Sequence, residues 1–168
     1  NGSGKSTLLA LFVGVLIPEK GTIVNRSLRT GYVGPNPLII EGSLKENLLF
    51  GNNQKINDDK LVSLVKEINL FEDQVDINLD MKISNKNLSS GQMQKISFMR
   101  ALLSKVEVLL LDESTSNLDI ETKTFIFDIL KKQEITIINS THNPEDFESI
   151  DRHLKIYFEG DLRKVKSV

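Results

Sequence analysis

Three short stretches carry residue types whose spacing suits chemistry on a phosphate group. The first opens the chain as Asn1-Gly2-Ser3-Gly4-Lys5-Ser6-Thr7. It fits the end of a G-x-x-x-x-G-K-[ST] pattern, with Gly4 as the second glycine and the first glycine expected two residues upstream of Asn1. Glycines let backbone N–H groups turn inward around phosphate oxygens. A helix starting near Lys5 would point its positive end at the same oxygens. Lys5 would then reach the β- and γ-phosphates of a nucleotide, and the Ser6 hydroxyl would ligate Mg²⁺. A bare Gly-Lys-Ser also occurs in ordinary turns before helices. The joint presence of Gly2, Gly4, Lys5, Ser6 and Thr7 favours the phosphate reading, with Asn1 and Ser3 in the same loop.

The second stretch, Val108-Leu109-Leu110-Leu111-Asp112-Glu113, is an apolar run ending in two acids. In open α/β sheets ligands bind beyond the carboxyl ends of the strands. Asp112 would hold Mg²⁺ through water, and Glu113 would polarise an attacking water. Alone, the pair is as well explained by a solvated acidic turn. The third stretch is Leu88-Ser89-Ser90-Gly91-Gln92-Met93-Gln94-Lys95. It reads as a second helix N-terminus bearing hydroxyls and a glycine, able to bind a γ-phosphate. Ser89 is equally a plain N-cap on an amphipathic helix, and both readings can hold together.

Elements must position these groups. A helix is expected from Lys5 to about Leu16, and short strands at Gly21–Val24 and Thr30–Val33. Asn57–Leu70 reads as a helix with Leu61, Leu64, Val65 and Ile68 on one face and Asn57 or Asp58 as cap. Ser89–Ser104 is another, striped by Ile96, Met99, Leu102 and Leu103. Val108–Leu111 is apolar without alternation, as a strand buried on both faces of a parallel sheet must be. Asp119–Lys132 is a helix with Phe125, Ile126, Ile129 and Leu130 inward. Ile135–Ile138 is a second buried strand, and Leu154–Phe158 a late edge strand. Alternating strands and helices predict an α/β domain with a mainly parallel sheet.

Composition sets outer bounds. The chain has 168 residues, 39% hydrophobic and 26% charged, with a net charge of −2. That suits one domain with a real core. Nucleic acid is not expected as the main partner, since no long basic stretch is present. Without cysteine there are no disulfides or thiolate metal sites. The longest apolar run, Leu8–Ile17, falls short of the about 20 residues a membrane-crossing helix needs. Nor does it read as a signal peptide, because a glycine-rich loop stands where a basic segment would be.

Taken in order, the motifs resemble the ATP-binding cassette family along nearly the whole chain. The signature of that family is Leu-Ser-Gly-Gly-Gln followed by x-Gln-Arg; Ser90 and Lys95 are departures from it. Ser116-Asn117-Leu118-Asp119 resembles the D-loop, and Ser140-Thr141-His142 the switch-histidine loop. The resemblance implies a P-loop NTPase fold of class α/β, with a mainly parallel sheet flanked by helices. It implies a helical subdomain at about residues 40–100 carrying the signature, within one ATP-binding domain over 1–168. ATP and Mg²⁺ are the implied cofactors. Lys5, Glu113 and His142 take the catalytic roles, and Ser6 and Asp112 hold the metal. Two cassettes are expected to pair head to tail, so that Ser89, Gly91 and Gln92 meet the nucleotide of the partner. The other expected partners are transmembrane domains, which would place the chain at the cytoplasmic face of a membrane.

Two further features qualify the resemblance. Glu41-Gly42-Ser43-Leu44-Lys45-Glu46-Asn47-Leu48-Leu49-Phe50-Gly51 resembles the corresponding segment of exporters, though a surface loop with a short helix would read alike. Pro35 stands where the family usually has a glutamine that contacts Mg²⁺ and couples to the transmembrane part. Proline offers neither a side-chain oxygen nor an N–H. Asn36, one position on, carries an amide. The chain reads as a fragment beginning inside its phosphate loop; lacking the preceding strand, the isolated polypeptide is expected to be insoluble or to bind ATP poorly. Two other functions stay open: a soluble ABC ATPase outside transport, and a non-catalytic or degenerate cassette.

Overall fold

The computed structural model describes residues 4–24, 29–72, 76–141, 150–160 and 162–168. In chain order the elements are α1 (Lys5–Phe12), β1 (Thr30–Val33), β2 (Gly42–Ser43), α2 (Leu44–Leu49), α3 (Asp58–Glu67), β3 (Lys82–Ile83), α4 (Ser90–Leu103), β4 (Val108–Asp112), α5 (Ile120–Lys131), β5 (Thr136–Ser140), β6 (Leu154–Glu159) and β7 (Leu162–Ser167).

The main sheet has the order β1-β4-β5, and both pairings are parallel. Its centre is the apolar run: Leu109, Leu110 and Leu111 are all buried. Burial on both faces is why β4 shows no alternation. The register sets Val33 beside Leu111 and Asp112 beside Ser140, so the polar ends of two strands meet on one edge of the sheet. Helices flank this sheet and no barrel closes, as the α/β expectation requires.

Two apolar cores share helix α4. One joins α2, α3 and α4 through Leu44, Leu48, Leu61, Val65, Ile96 and Met99. The other lies on the sheet and includes Val33, Phe98, Leu109, Leu111, Ile126 and Leu130. Ile96 and Met99 sit one turn apart on one face, while Phe98 turns to the other core. Removing the Phe98 ring would cost about 3–5 kcal/mol as lost burial plus cavity. Helix α4 therefore fixes its N-terminus relative to the sheet.

Local sequence accounts for the helix starts. Asn57, Ser89 and Asp119 each accept a backbone N–H from three residues on, capping α3, α4 and α5. Ser43 and Glu46 form a reciprocal capping box on the short helix α2.

Several expectations are corrected. Helix α1 stops at Phe12, not Leu16, because Gly14 adopts φ +75° just past its end. The Val15 N–H reaches Ala10 O and the Gly14 N–H reaches Leu11 O, closing the last turn as a Schellman motif. Val15 and Ile17 are left 75% and 89% exposed. Gly21–Val24 joins no strand ladder; Gly21 has φ +85° and Val24 is exposed. The strand expected to be buried at Ile135–Ile138 runs over Thr136–Ser140, starting one residue and ending two residues later, and as the last strand of the sheet it is largely exposed, only Ser140 being buried. Leu154–Phe158 is no edge of the main sheet: it pairs antiparallel with β7 in a separate hairpin turning through Gly160, whose φ is +60°. The two-residue pairing of β2 with β3 was not anticipated.

Candidate functional site

The candidate phosphate loop leads into α1. Gly4 occupies its N-cap in a left-handed conformation, φ +95°, with no side chain capping the helix. The N–H groups of that first turn are thus available to an anion. Lys5, Ser6 and Thr7 form the first turn, with Ser6 and Thr7 exposed. Asn1, Gly2 and Ser3 lie outside the described residues.

Lys5 reaches the acidic end of β4. Its Nζ lies 3.5 Å from Glu113 Oε1, with the two side chains 25% and 35% exposed. Glu113 has φ +49°, an unfavourable region for a residue with a Cβ, costing about 1–3 kcal/mol. Its backbone N–H donates to Ser140 O at 2.9 Å, and Ser116 Oγ donates to its carbonyl at 3.2 Å. These bonds hold the bend that turns the carboxylate from the strand toward α1.

Asp112 is 1% exposed. Its Oδ2 accepts a hydrogen bond from the Tyr32 hydroxyl at 3.1 Å, while Oδ1 has no protein partner. Burial, reinforced by the Asp112 charge and this hydrogen bond, pushes the Tyr32 phenol up to about 12. Ser114 Oγ and Ser140 Oγ are also buried without a hydrogen bond. Buried polar atoms are seldom left so, and Asp112 and Ser140 are register partners at the carboxyl ends of β4 and β5. His142 lies two residues beyond Ser140, outside the described residues.

The third stretch builds a different site. Ser89 Oγ accepts from the Gln92 N–H at 3.1 Å, and Gln92 Oε1 accepts from the Ser89 N–H at 2.9 Å. Gln92 Nε2 reaches back to Leu70 O at 3.3 Å. A Cβ on Gly91 would lie 3.1 Å from Asn117 O, so the helix start packs directly on the turn that follows Glu113. Ser89, Gly91, Gln92, Lys95 and Asp119 line an open cavity of about 490 Å³. Lys5, Ser6, Asp112 and Glu113 are not among its lining residues. The chain thus brings Lys5, Asp112 and Glu113 together and leaves Ser89, Gly91 and Gln92 on a separate surface.

Three contributors were not anticipated. Tyr32, expected in the strand that leads to Pro35 and given no role of its own by the sequence, holds Asp112. Lys95 was read as a departure, yet its buried Nζ donates to Asn69 O at 2.9 Å and lies 3.5 Å from Asp119 Oδ2. Arg100 donates to Asn47 O at 2.5 Å and also to Leu38 O, tying α4 to the segment after β1. Its guanidinium lies 5.4 Å from the Phe50 ring centre. Pro35 and Asn36 are both exposed in the bend after β1.

The family model described as ABC transporter matches residues 1–116. The chain is 33% identical to the glutathione/L-cysteine transport system ATP-binding/permease protein CydD of Haemophilus influenzae, covering 90% of this chain and 28% of that protein. It is 36% identical to the lactococcin-A transport/processing ATP-binding protein LcnC of Lactococcus lactis, covering 84% of this chain and 22% of that protein. It is 31% identical to the ATP-dependent permease MDL1 of Candida albicans, covering 96% of this chain and 27% of that protein. The chain spans less than a third of the length of these relatives. A family model matched over more than half the sequence, on a P-loop α/β fold that brings Lys5 against the Asp112-Glu113 strand end, establishes that the chain belongs to the ABC transporter family.

Proposed function

We propose that this chain binds and hydrolyses ATP at the Lys5–Asp112–Glu113 site and thereby powers export across a membrane. The observation carrying the reading is the approach of Lys5 Nζ to Glu113 Oε1 at the carboxyl end of β4. A cation for phosphate oxygens and a carboxylate for water lie within one small region, against an uncapped helix start.

The residues present suit Mg²⁺. It takes oxygen ligands, keeps several waters, and needs only one or two protein groups besides substrate phosphates. The buried, unpartnered Asp112 Oδ1 is a donor of that kind, and Ser6 Oγ on α1 is the second. When bound, the ion neutralises charge on the β- and γ-phosphate oxygens. Lys5 binds the same oxygens, and the α1 N–H groups orient them. Glu113 accepts a hydrogen bond from the attacking water. As the new P–O bond forms on the γ-phosphorus, the bond to the β-phosphate oxygen breaks, leaving ADP and phosphate. His142, in the switch-histidine role that the resemblance implies, is the further catalytic residue of the proposal.

Ser89, Gly91 and Gln92 act on the nucleotide of a second cassette packed head to tail. Their separation from the Lys5 cluster, on an open cavity, supports this division. Residues from about 40 to 100, with their own apolar core, form the helical subdomain carrying that surface. Among the described residues no helix is long and apolar enough to cross a membrane. In the proposed transporter the chain works at the cytoplasmic face of a membrane, beside transmembrane domains. The names of CydD, LcnC and MDL1 support transport; the cargo is chosen elsewhere.

The test is equilibrium binding of a fluorescent ATP analogue to the native protein with Mg²⁺. Lys5→Ala should weaken binding at least about tenfold, the size expected for losing a charge-assisted contact. Equal binding by both proteins contradicts the site. A non-catalytic cassette is the second reading, favoured by Pro35, which brings no amide to the bend after β1. Such a cassette would bind ATP normally and release no phosphate.

A further inference from the structure

Strand β1 contributes one polar side-chain contact to the acid at the end of β4, and it comes from Tyr32. The hydroxyl donates to Asp112 Oδ2 at 3.1 Å across the sheet, between residues far apart in sequence. The other oxygen, Oδ1, is buried and has no protein partner. A carboxylate with one oxygen tied and one open is oriented: it presents a single lone-pair face to whatever approaches. The next positions of β1 add nothing comparable. Gly34 has no side chain, and Pro35 can neither donate nor accept through one.

The ring placement also constrains Gly34. A Cβ there would lie 2.7 Å from Tyr32 Cε1 and 3.0 Å from its hydroxyl oxygen. The bend packs against the tyrosine, and Gln94 Nε2 from α4 holds the Gly34 carbonyl at 3.2 Å. Glycine at 34 and tyrosine at 32 therefore act as one unit: the missing methyl makes room for the ring that holds the acid.

We propose that Tyr32 is a positioning residue for the metal site, holding Asp112 Oδ2 so that Oδ1 faces the divalent cation, with Gly34 keeping the ring in place. This rests on the ATPase reading above. The hydroxyl does not touch nucleotide or reacting atoms. It limits rotation of the Asp112 carboxylate and so sets how tightly the ion is held.

The experiment uses the native protein with a non-hydrolysable ATP analogue and Mn²⁺ as a paramagnetic probe, titrated by electron paramagnetic resonance. Tyr32→Phe should weaken Mn²⁺ by at least about tenfold, the worth of one hydrogen bond to a charged group. Its metal-free melting temperature should fall, because Asp112 Oδ2 loses its partner, while its metal-free nucleotide affinity should match the wild type. Phosphate release should fall at low Mg²⁺ and recover at saturating Mg²⁺, with KM for ATP unchanged. Gly34→Ala, which keeps the hydroxyl but displaces the ring, should show the same Mn²⁺ loss. The double variant should lose no more than either single one. Unchanged Mn²⁺ affinity in Tyr32→Phe, or losses that multiply in the double variant, would overturn the proposal while leaving the ATPase reading intact. A wild type that binds no metal–nucleotide would overturn both.

Discussion

Lys5 Nζ lies 3.5 Å from Glu113 Oε1, joining the first turn of α1 to the residue after β4. Both side chains remain partly open to solvent, at 25% and 35% exposure. Ion pairs of that exposure contribute about 0–1 kcal/mol, since water screens them and two side chains must be ordered. The pair is therefore poorly explained as a stability device. Glu113→Gln should shift the urea unfolding free energy by less than about 1 kcal/mol. A larger loss in equilibrium denaturation would make the contact structural.

Lys95 is a different case, because its charge is buried. The residue is 8% exposed, with Nζ on Asn69 O and close to Asp119 Oδ2. Lys95→Met keeps the volume but strands a carbonyl, which should cost about 1–3 kcal/mol. Lys95→Arg keeps the charge and should recover most of that loss. Denaturant midpoints at constant slope measure it; equal midpoints for wild type and Lys95→Met would refute the role.

Gly91 sets two effects against each other. Alanine in a helix interior gains up to about 1 kcal/mol over glycine. Here the added methyl would stand 3.1 Å from Asn117 O, a backbone atom that yields only by moving the turn after Glu113. Gly91→Ala should therefore leave the melting temperature nearly unchanged and lower phosphate release. Full turnover with raised stability would show that the turn gives way freely.

Asp119 makes stability depend on acid. The backbone N–H of Thr122 is the largest cause holding its carboxyl below the ordinary 3.8, with help from the Thr122 hydroxyl and the Lys95 charge. A depressed carboxylate stabilises the fold above its unfolded pKa. That contribution is lost as pH falls from about 3.8 through the lower folded value. As the cap of α5 it is worth about 1 kcal/mol. In melts from pH 6 down to pH 2, Asp119→Asn should lose less stability than the wild type. Parallel acid profiles would show that the cap carboxylate does not contribute.

Much of this arrangement is legible in sequence. An unbroken apolar run names a doubly buried strand, so β4 and the two acids ending it could be placed from their neighbours alone. Asn57, Ser89 and Asp119 mark helix starts because their side chains satisfy local N–H groups, which depends on nothing distant. The rest depends on tertiary contact. Gly14 hides inside an apolar stretch that reads as continuous helix until its backbone closes the turn. The β2–β3 pair is too short to show a period. Tyr32 and Asp112 lie 80 residues apart, and only the parallel register brings them onto one face. Lys95 looked like a substitution in a motif, whereas its partner Asp119 comes from the turn before α5.

Phosphate release by the native protein, wild type against Glu113→Gln, with nucleotide binding followed in the same samples, tests the hydrolytic site most directly. Glu113→Gln should bind ATP within about twofold of the wild type and release phosphate roughly 10²–10⁴ times more slowly, the range for losing a general base. Equal rates of release in the two proteins, with binding intact, would contradict the assignment of Glu113 and the hydrolytic function built on it.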